Sequence, residues 1–204
     1  MNLPHRLAAP LWAATVLAAC ASSPPAPVLL TLPPALAAAP ALAINLAASA
    51  PAPVLAVRRL NLPEYLVARR VRFRAEASTL AEWPNTYWAE RIEIGMSREF
   101  VSALRQQLPG WVLCDAQCGD QTPAFSLQID FAPLDFVRAA QKLQAHAHIT
   151  LSDGSAPPKV LQSAESNFEI AAAADTAQAQ AQAMAELVRQ AAAVAAPMVR
   201  SMRP

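Results

Sequence analysis

The sequence predicts an α+β fold: one mostly antiparallel, mixed β-sheet with two long helices packed on one face. Three observations lead there. Residues 70–74, 125–131 and 142–151 alternate apolar and polar side chains with the period of a strand. Two stretches, about 85–107 and 175–197, carry apolar residues at helical spacing instead. The order is strands, helix, about four strands, helix, which suits a sheet covered by helices rather than a βαβ array.

The first 19 of the 204 residues read as a signal peptide. Arg6 gives a positive start, and residues 7–19 form an apolar run of 13 residues. Such a run is shorter than the roughly 20 residues that span a bilayer. It ends in Leu17-Ala18-Ala19-Cys20, which resembles the lipobox of bacterial lipoproteins. That resemblance implies cleavage before Cys20 and acylation of its thiol and new amino terminus, giving a membrane anchor. Ala21 follows, and by resemblance to enterobacterial lipoproteins the lack of an aspartate there implies the outer membrane as the destination. Residues 20–53 read as the lipidated terminus and an Ala/Pro-rich tether. No charge occurs between Arg6 and Arg58, and prolines stand at 24, 25, 27, 33, 34, 40, 51 and 53. Proline at that density excludes a second spanning helix and favours an extended spacer. Within it, Val28-Leu29-Leu30-Thr31-Leu32 has the composition of a short strand.

A single domain is expected over 54–204. Residues 54–60 read as a strand bounded by Pro53 and Asn61. In Arg70-Val71-Arg72-Phe73-Arg74, Val71 and Phe73 face inward and the arginines outward. Three arginines on one face can bind anionic headgroups, or form the solvated face of an antiparallel sheet. Residues 79–83 read as a partner strand stopped by Pro84-Asn85. Asn85 or Thr86 then serves as N-cap of a helix closed by Pro109-Gly110. Its apolar side, Ile92, Met96, Phe100, Ala103 and Leu104, suits a sheet or, as a second reading, lipid.

Residues 111–114 form a strand candidate followed by a turn that carries Cys114 and Cys118. These thiols can pair across the turn in an oxidising compartment, remain free, or join a metal site for which the sequence shows no further ligands. Residues 125–131 and 142–151 are strands, with His146 and His148 on the outer face of the second. Two histidines at that spacing can ligate zinc or sense pH, or simply be solvated. A hairpin loop at 152–158 leads to a polar strand at 160–170. Asp175 with Gln178 resembles a capping box for the last helix, whose Ala/Gln-rich first turns are expected to pack weakly. Met184, Leu187 and Val188 form its stripe, for the sheet or for a partner.

Several function classes are excluded. The four glycines, Gly95, Gly110, Gly119 and Gly154, are scattered, so there is neither a phosphate-cradling glycine loop nor a G-x-S-x-G nucleophile elbow. A net charge of +1, with no basic patch interleaved with aromatics, argues against nucleic acid. No cofactor, metal or enzymatic activity is expected.

The order LPEYL (62–66), a strand RRVRFR, then WAE (88–90) before a helix resembles the paraquat-inducible protein C (PqiC/YmbA) family. These are auxiliary lipoproteins of ABC-type transport systems carrying MCE-domain proteins. The motif residues are Leu62, Pro63, Tyr65, Leu66, Trp88, Ala89 and Glu90. The resemblance implies a periplasm-facing, lipid-anchored subunit that binds an MCE-domain protein in moving lipid between membranes. The Ala/Pro-rich tether, Cys114 and Cys118 depart from the family pattern. A regulator of cell-wall synthesis or an outer-membrane assembly factor is the alternative class. A lipoprotein hydrolase is a third, for which the nucleophile motif is missing.

Overall fold

The computed structural model describes residues 25–34, 52–115 and 118–202. Cys20 and the signal segment lie outside these residues, as does most of the tether.

Among the described residues, eight strands form one mixed sheet: β1 (Val28–Leu30), β2 (Val54–Val57), β3 (Arg70–Glu76), β4 (Thr79–Trp88), β5 (Val112–Cys114), β6 (Phe125–Val137), β7 (Lys142–Asp153) and β8 (Val160–Ala171). The long ladders β3/β4, β6/β7 and β7/β8 are antiparallel. Short parallel pairings add β1 to β4, β2 to β5 and β6, and β3 to the end of β6. The sheet is α+β as expected, with helices α1 (Ile92–Gln107) and α2 (Ala177–Arg200) against one face.

Alternation explains the layering. Leu127, Ile129 and Phe131 of β6 and Leu143, Ala147, Ile149 and Leu151 of β7 are buried, while their sequence neighbours are polar and wetter. They meet Met96, Phe100 and Leu104 of α1 and Met184, Leu187 and Val188 of α2 in one core. The stripe of α2 is therefore core. Ala191, Ala192, Ala195 and Ala196 are fully buried as well. Small side chains of this kind let α1 and α2 pack directly against each other.

The structure corrects five boundaries. β4 does not stop at Pro84 but runs on to Trp88, so α1 starts at Ile92, with Arg91 rather than Asn85 or Thr86 at the cap position. The β3/β4 register passes from Arg72↔Glu82 to Arg70↔Tyr87, and that bulge holds Pro84, which has no N–H to give, and Asn85, whose φ of 48° asparagine tolerates. β6 likewise continues past Phe131 through a register shift that contains Pro133. Thr176, not Asp175, caps α2, its hydroxyl accepting from Ala179 N–H at 3.1 Å. Asp175 instead accepts from the Arg138 guanidinium at 2.9–3.1 Å. The first turns of α2 are well packed, with Ala177, Ala179, Gln180 and Ala181 buried, and the helix passes through Pro197 to Arg200.

β1 was expected inside the tether. It is part of the sheet: Val28, Leu29 and Leu30 pair with Thr86, Tyr87 and Trp88.

Candidate functional site

The two short motifs meet at one end of the sheet. Asn61 is stitched beside β6, its N–H donating to Ile129 O at 3.0 Å and its carbonyl accepting from Phe131 N–H at 2.9 Å. Leu62 and Pro63 then lead into a 3-10 turn at Glu64–Leu66, closed by Leu66 N–H on Pro63 O at 2.9 Å. Leu66 is buried, and Leu62 and Tyr65 pack against the core. The Tyr65 hydroxyl donates to Asp135 Oδ1 at 3.1 Å. Arg74 holds both oxygens of that carboxylate at 2.8 and 3.0 Å, its guanidinium 5.7 Å from the Tyr65 ring centre. Burial, then the Asp135 charge, push the Tyr65 phenol above its ordinary pKa. Arg72 donates to the Tyr65 carbonyl at 3.0 Å. The arginine row is thus engaged: Arg70 and Arg72 pair with Glu82, and Arg74 with Asp135.

Trp88 closes β4, buried, its N–H donating to Arg69 O at 2.7 Å. The link from LPEYL into β3 therefore lies beside WAE. Ala89 N–H donates to Leu30 O at 2.8 Å, which fastens the end of β1. Glu90 accepts two bonds from Arg98, both 2.8 Å, and these hold its carboxyl below the usual range. A side chain at Gly95 would press on Glu90, so glycine lets the helix enter close to that pair. The motif residues thus fix the sheet corner, β1 and the entry of α1; they are architectural.

A groove of about 990 Å³ runs between α1 and the ends of β2 and β5. Arg58, Arg59 and Arg105 supply cations beside Arg98, which Glu90 holds, Asp115 adds one carboxylate, and Ile94 and Val101 form an apolar wall. Ser97 pins it: its hydroxyl donates to Glu93 O at 2.6 Å and accepts from Leu60 N–H at 3.0 Å. Cys114 lines this groove. Cys118 lines a second depression on the open sheet face, and Arg58 and Arg59 border both. The two cysteines have Cα atoms 5.2 Å apart with their sulfurs joined, within the span of a disulfide.

Chemically, the groove suits an anionic partner with apolar neighbours. His146 contacts Asn167 at 2.9 Å and both histidines lie 3.5 Å from Glu165, on the outer face of β7 and β8. Among the described residues no three His, Cys, Asp or Glu side chains are grouped to hold a metal ion. No described helix is long and apolar enough to cross a membrane. Sequence reasoning missed the groove because Arg58 and Arg59 join Arg98 and Arg105 only where the chain after β2 meets α1, at the Leu60–Ser97 bond. Linear sequence offers no signal for that meeting.

A family model described as ABC-type transport auxiliary lipoprotein component matches residues 35–196. Among curated proteins none matches the sequence. Among solved structures, an uncharacterized protein is similar at 17% identity and a TM-score of 0.67, over 86% of this chain and 99% of its own. A Xanthomonas campestris protein assigned to the family model DUF330 is similar at 14% identity and a TM-score of 0.61, over 83% and 92%. At these identities the two structures bear on the fold alone.

Proposed function

The chain belongs to the family of ABC-type transport auxiliary lipoprotein components, and from that membership we propose a lipid-anchored, periplasm-facing subunit of an MCE/ABC lipid transport system. The family match carries this reading. The LPEYL and WAE residues and the Cys20 lipobox support it from the sequence.

The protein acts by binding and positioning, without catalysis of its own. Acylation of Cys20 holds it to the membrane, with the outer membrane as the destination. Its partner is the MCE-domain protein, and the arginine groove along α1 supplies a cationic, partly apolar surface for an acidic segment of that protein. Cys114 and Cys118 form a disulfide in the oxidising periplasm and brace the rim of the groove.

Affinity capture of the tagged, full-length protein from detergent-solubilised membranes tests the reading. Co-purification of an MCE-domain protein with its permease and ATPase is the expected result. Recovery of a peptidoglycan synthase or an outer-membrane assembly complex instead would favour the alternative class.

A further inference from the structure

The edge strand β1 carries two exposed apolar side chains, Val28 (41% exposed) and Leu29 (56% exposed), beside the buried Leu30 and Leu32. Leu29 is in register with Tyr87, whose ring stands 5.2 Å under the Arg70 guanidinium, so Leu29, Tyr87 and Arg70, the last paired with Glu82 at 3.2 Å, share one patch. That composition, apolar with an aromatic and a cation, is the one side chains present at a bilayer interface.

The chain reaching this patch is short. Asn85 Nδ2 donates to the carbonyls of Pro25 and Ala26 at 2.8 and 3.0 Å, and from there the β1 pairing fixes the backbone to the domain. Only residues 21–24 separate Cys20 from Pro25. Five residue steps at full extension reach at most about 18 Å, since a chain spans no more than ~3.3–3.6 Å per residue. Acyl chains on Cys20 lie in the hydrocarbon and hold its backbone at headgroup level. The first fixed residue of the domain is therefore kept close to the lipid surface, and Leu29 of the patch lies four residues later.

We infer that the outer edge of β1, through Val28 and Leu29, rests on the lipid bilayer. The inference depends on the anchoring at Cys20 proposed above and adds an orientation: the β1 edge faces the membrane, and β8, at the other end of the sheet, faces away. The segment from Pro25 acts as a docked collar, and the domain does not swing at the end of a long spacer.

The test uses the full-length protein, acylated in cells and reconstituted in phosphatidylethanolamine/phosphatidylglycerol vesicles. Leu29→Cys or, as the reference, Val160→Cys (57% exposed, on β8) carries an environment-sensitive fluorophore; both positions are solvent-exposed, so folding is preserved. Intact mass reports acylation. The expected result is blue-shifted emission at position 29 and at least two-fold stronger quenching there than at 160 by nitroxide-bearing lipid. Equal quenching at both positions in acylated protein would overturn the inference and leave the anchor standing. A blue shift at 29 without quenching would mean that a second copy covers the edge, which also overturns it. An unmodified Cys20 would remove the anchor, and the orientation with it.

Discussion

The indole N–H of Trp83 donates to Oε1 of Gln180 at 2.7 Å across 97 residues of sequence, and the Gln180 amide donates onward to the Arg72 carbonyl at 2.7 Å. Gln180 is 2% exposed. This chain of bonds fastens the start of α2 to the sheet. It also satisfies polar groups that would otherwise be stranded in the core. Gln180→Ala strands the indole N–H and the carbonyl, each worth roughly 1–3 kcal/mol when buried without a partner. Urea unfolding followed by tryptophan fluorescence should show a clearly lower midpoint. Gln178→Ala, at an exposed position two residues earlier, should stay within about 0.5 kcal/mol of wild type.

Gly154 ends the β7 strand where its N–H donates to Ala124 O at 3.0 Å. A Cβ there would overlap the Pro123 carbonyl oxygen, which belongs to backbone and has little freedom to yield. Gly154→Ala should therefore destabilise the protein by about 1–3 kcal/mol, the range of overpacking. The same unfolding midpoint reads it. A variant as stable as wild type would contradict this close approach.

The Glu90–Arg98 pair predicts a pH dependence. Arg98 depresses the Glu90 carboxyl in the folded state. A depressed acid contributes stability that is present above the ordinary carboxylate range and is lost as pH falls through the folded value. Glu90→Gln should lower stability by no more than about 1 kcal/mol at neutral pH, because both side chains are partly exposed. The gap between variant and wild type should close in acid. Unfolding midpoints measured across pH report it; a gap that widens in acid would reverse the assignment.

The Cys114–Cys118 pair predicts that iodoacetamide without reductant modifies neither residue, and that reduction exposes both. Peptide mass spectrometry reads this directly. The closed loop is short, with a separation of 4 residues, so Cys118→Ser should cost no more than about 2 kcal/mol. Two thiols alkylated without reductant would show the pair to be open.

Much of the architecture was legible because the pleat and the helical turn imprint their periods on side-chain polarity. Leu127, Ile129 and Phe131 alternate with Ser126, Gln128 and Asp130, and that pattern alone orients β6. Pro84 misled because the ladder tolerates it there: it sits in a register shift, as Pro133 does, so the missing N–H interrupts nothing. Pro197 lies on the exposed side of the last turn of α2, and Ser201 N–H still reaches its carbonyl at 3.0 Å. Gln180 was unreadable because a polar residue in an Ala/Gln repeat signals surface, whereas its partners Trp83 and Arg72 are about a hundred residues away. For the same reason the short strings LPEYL and WAE were visible as motifs, but their shared task of pinning β1 and the sheet corner emerges only when Trp88 and Arg69 are brought side by side.

Covalent crosslinking in intact cells, before any detergent, tests membership of a transport assembly most directly. A photoreactive residue at Arg105, in the α1 groove, should yield an adduct whose second component is an MCE-domain protein. Adducts only with proteins outside an ABC system, while the protein is acylated and folded, would contradict the proposed partnership.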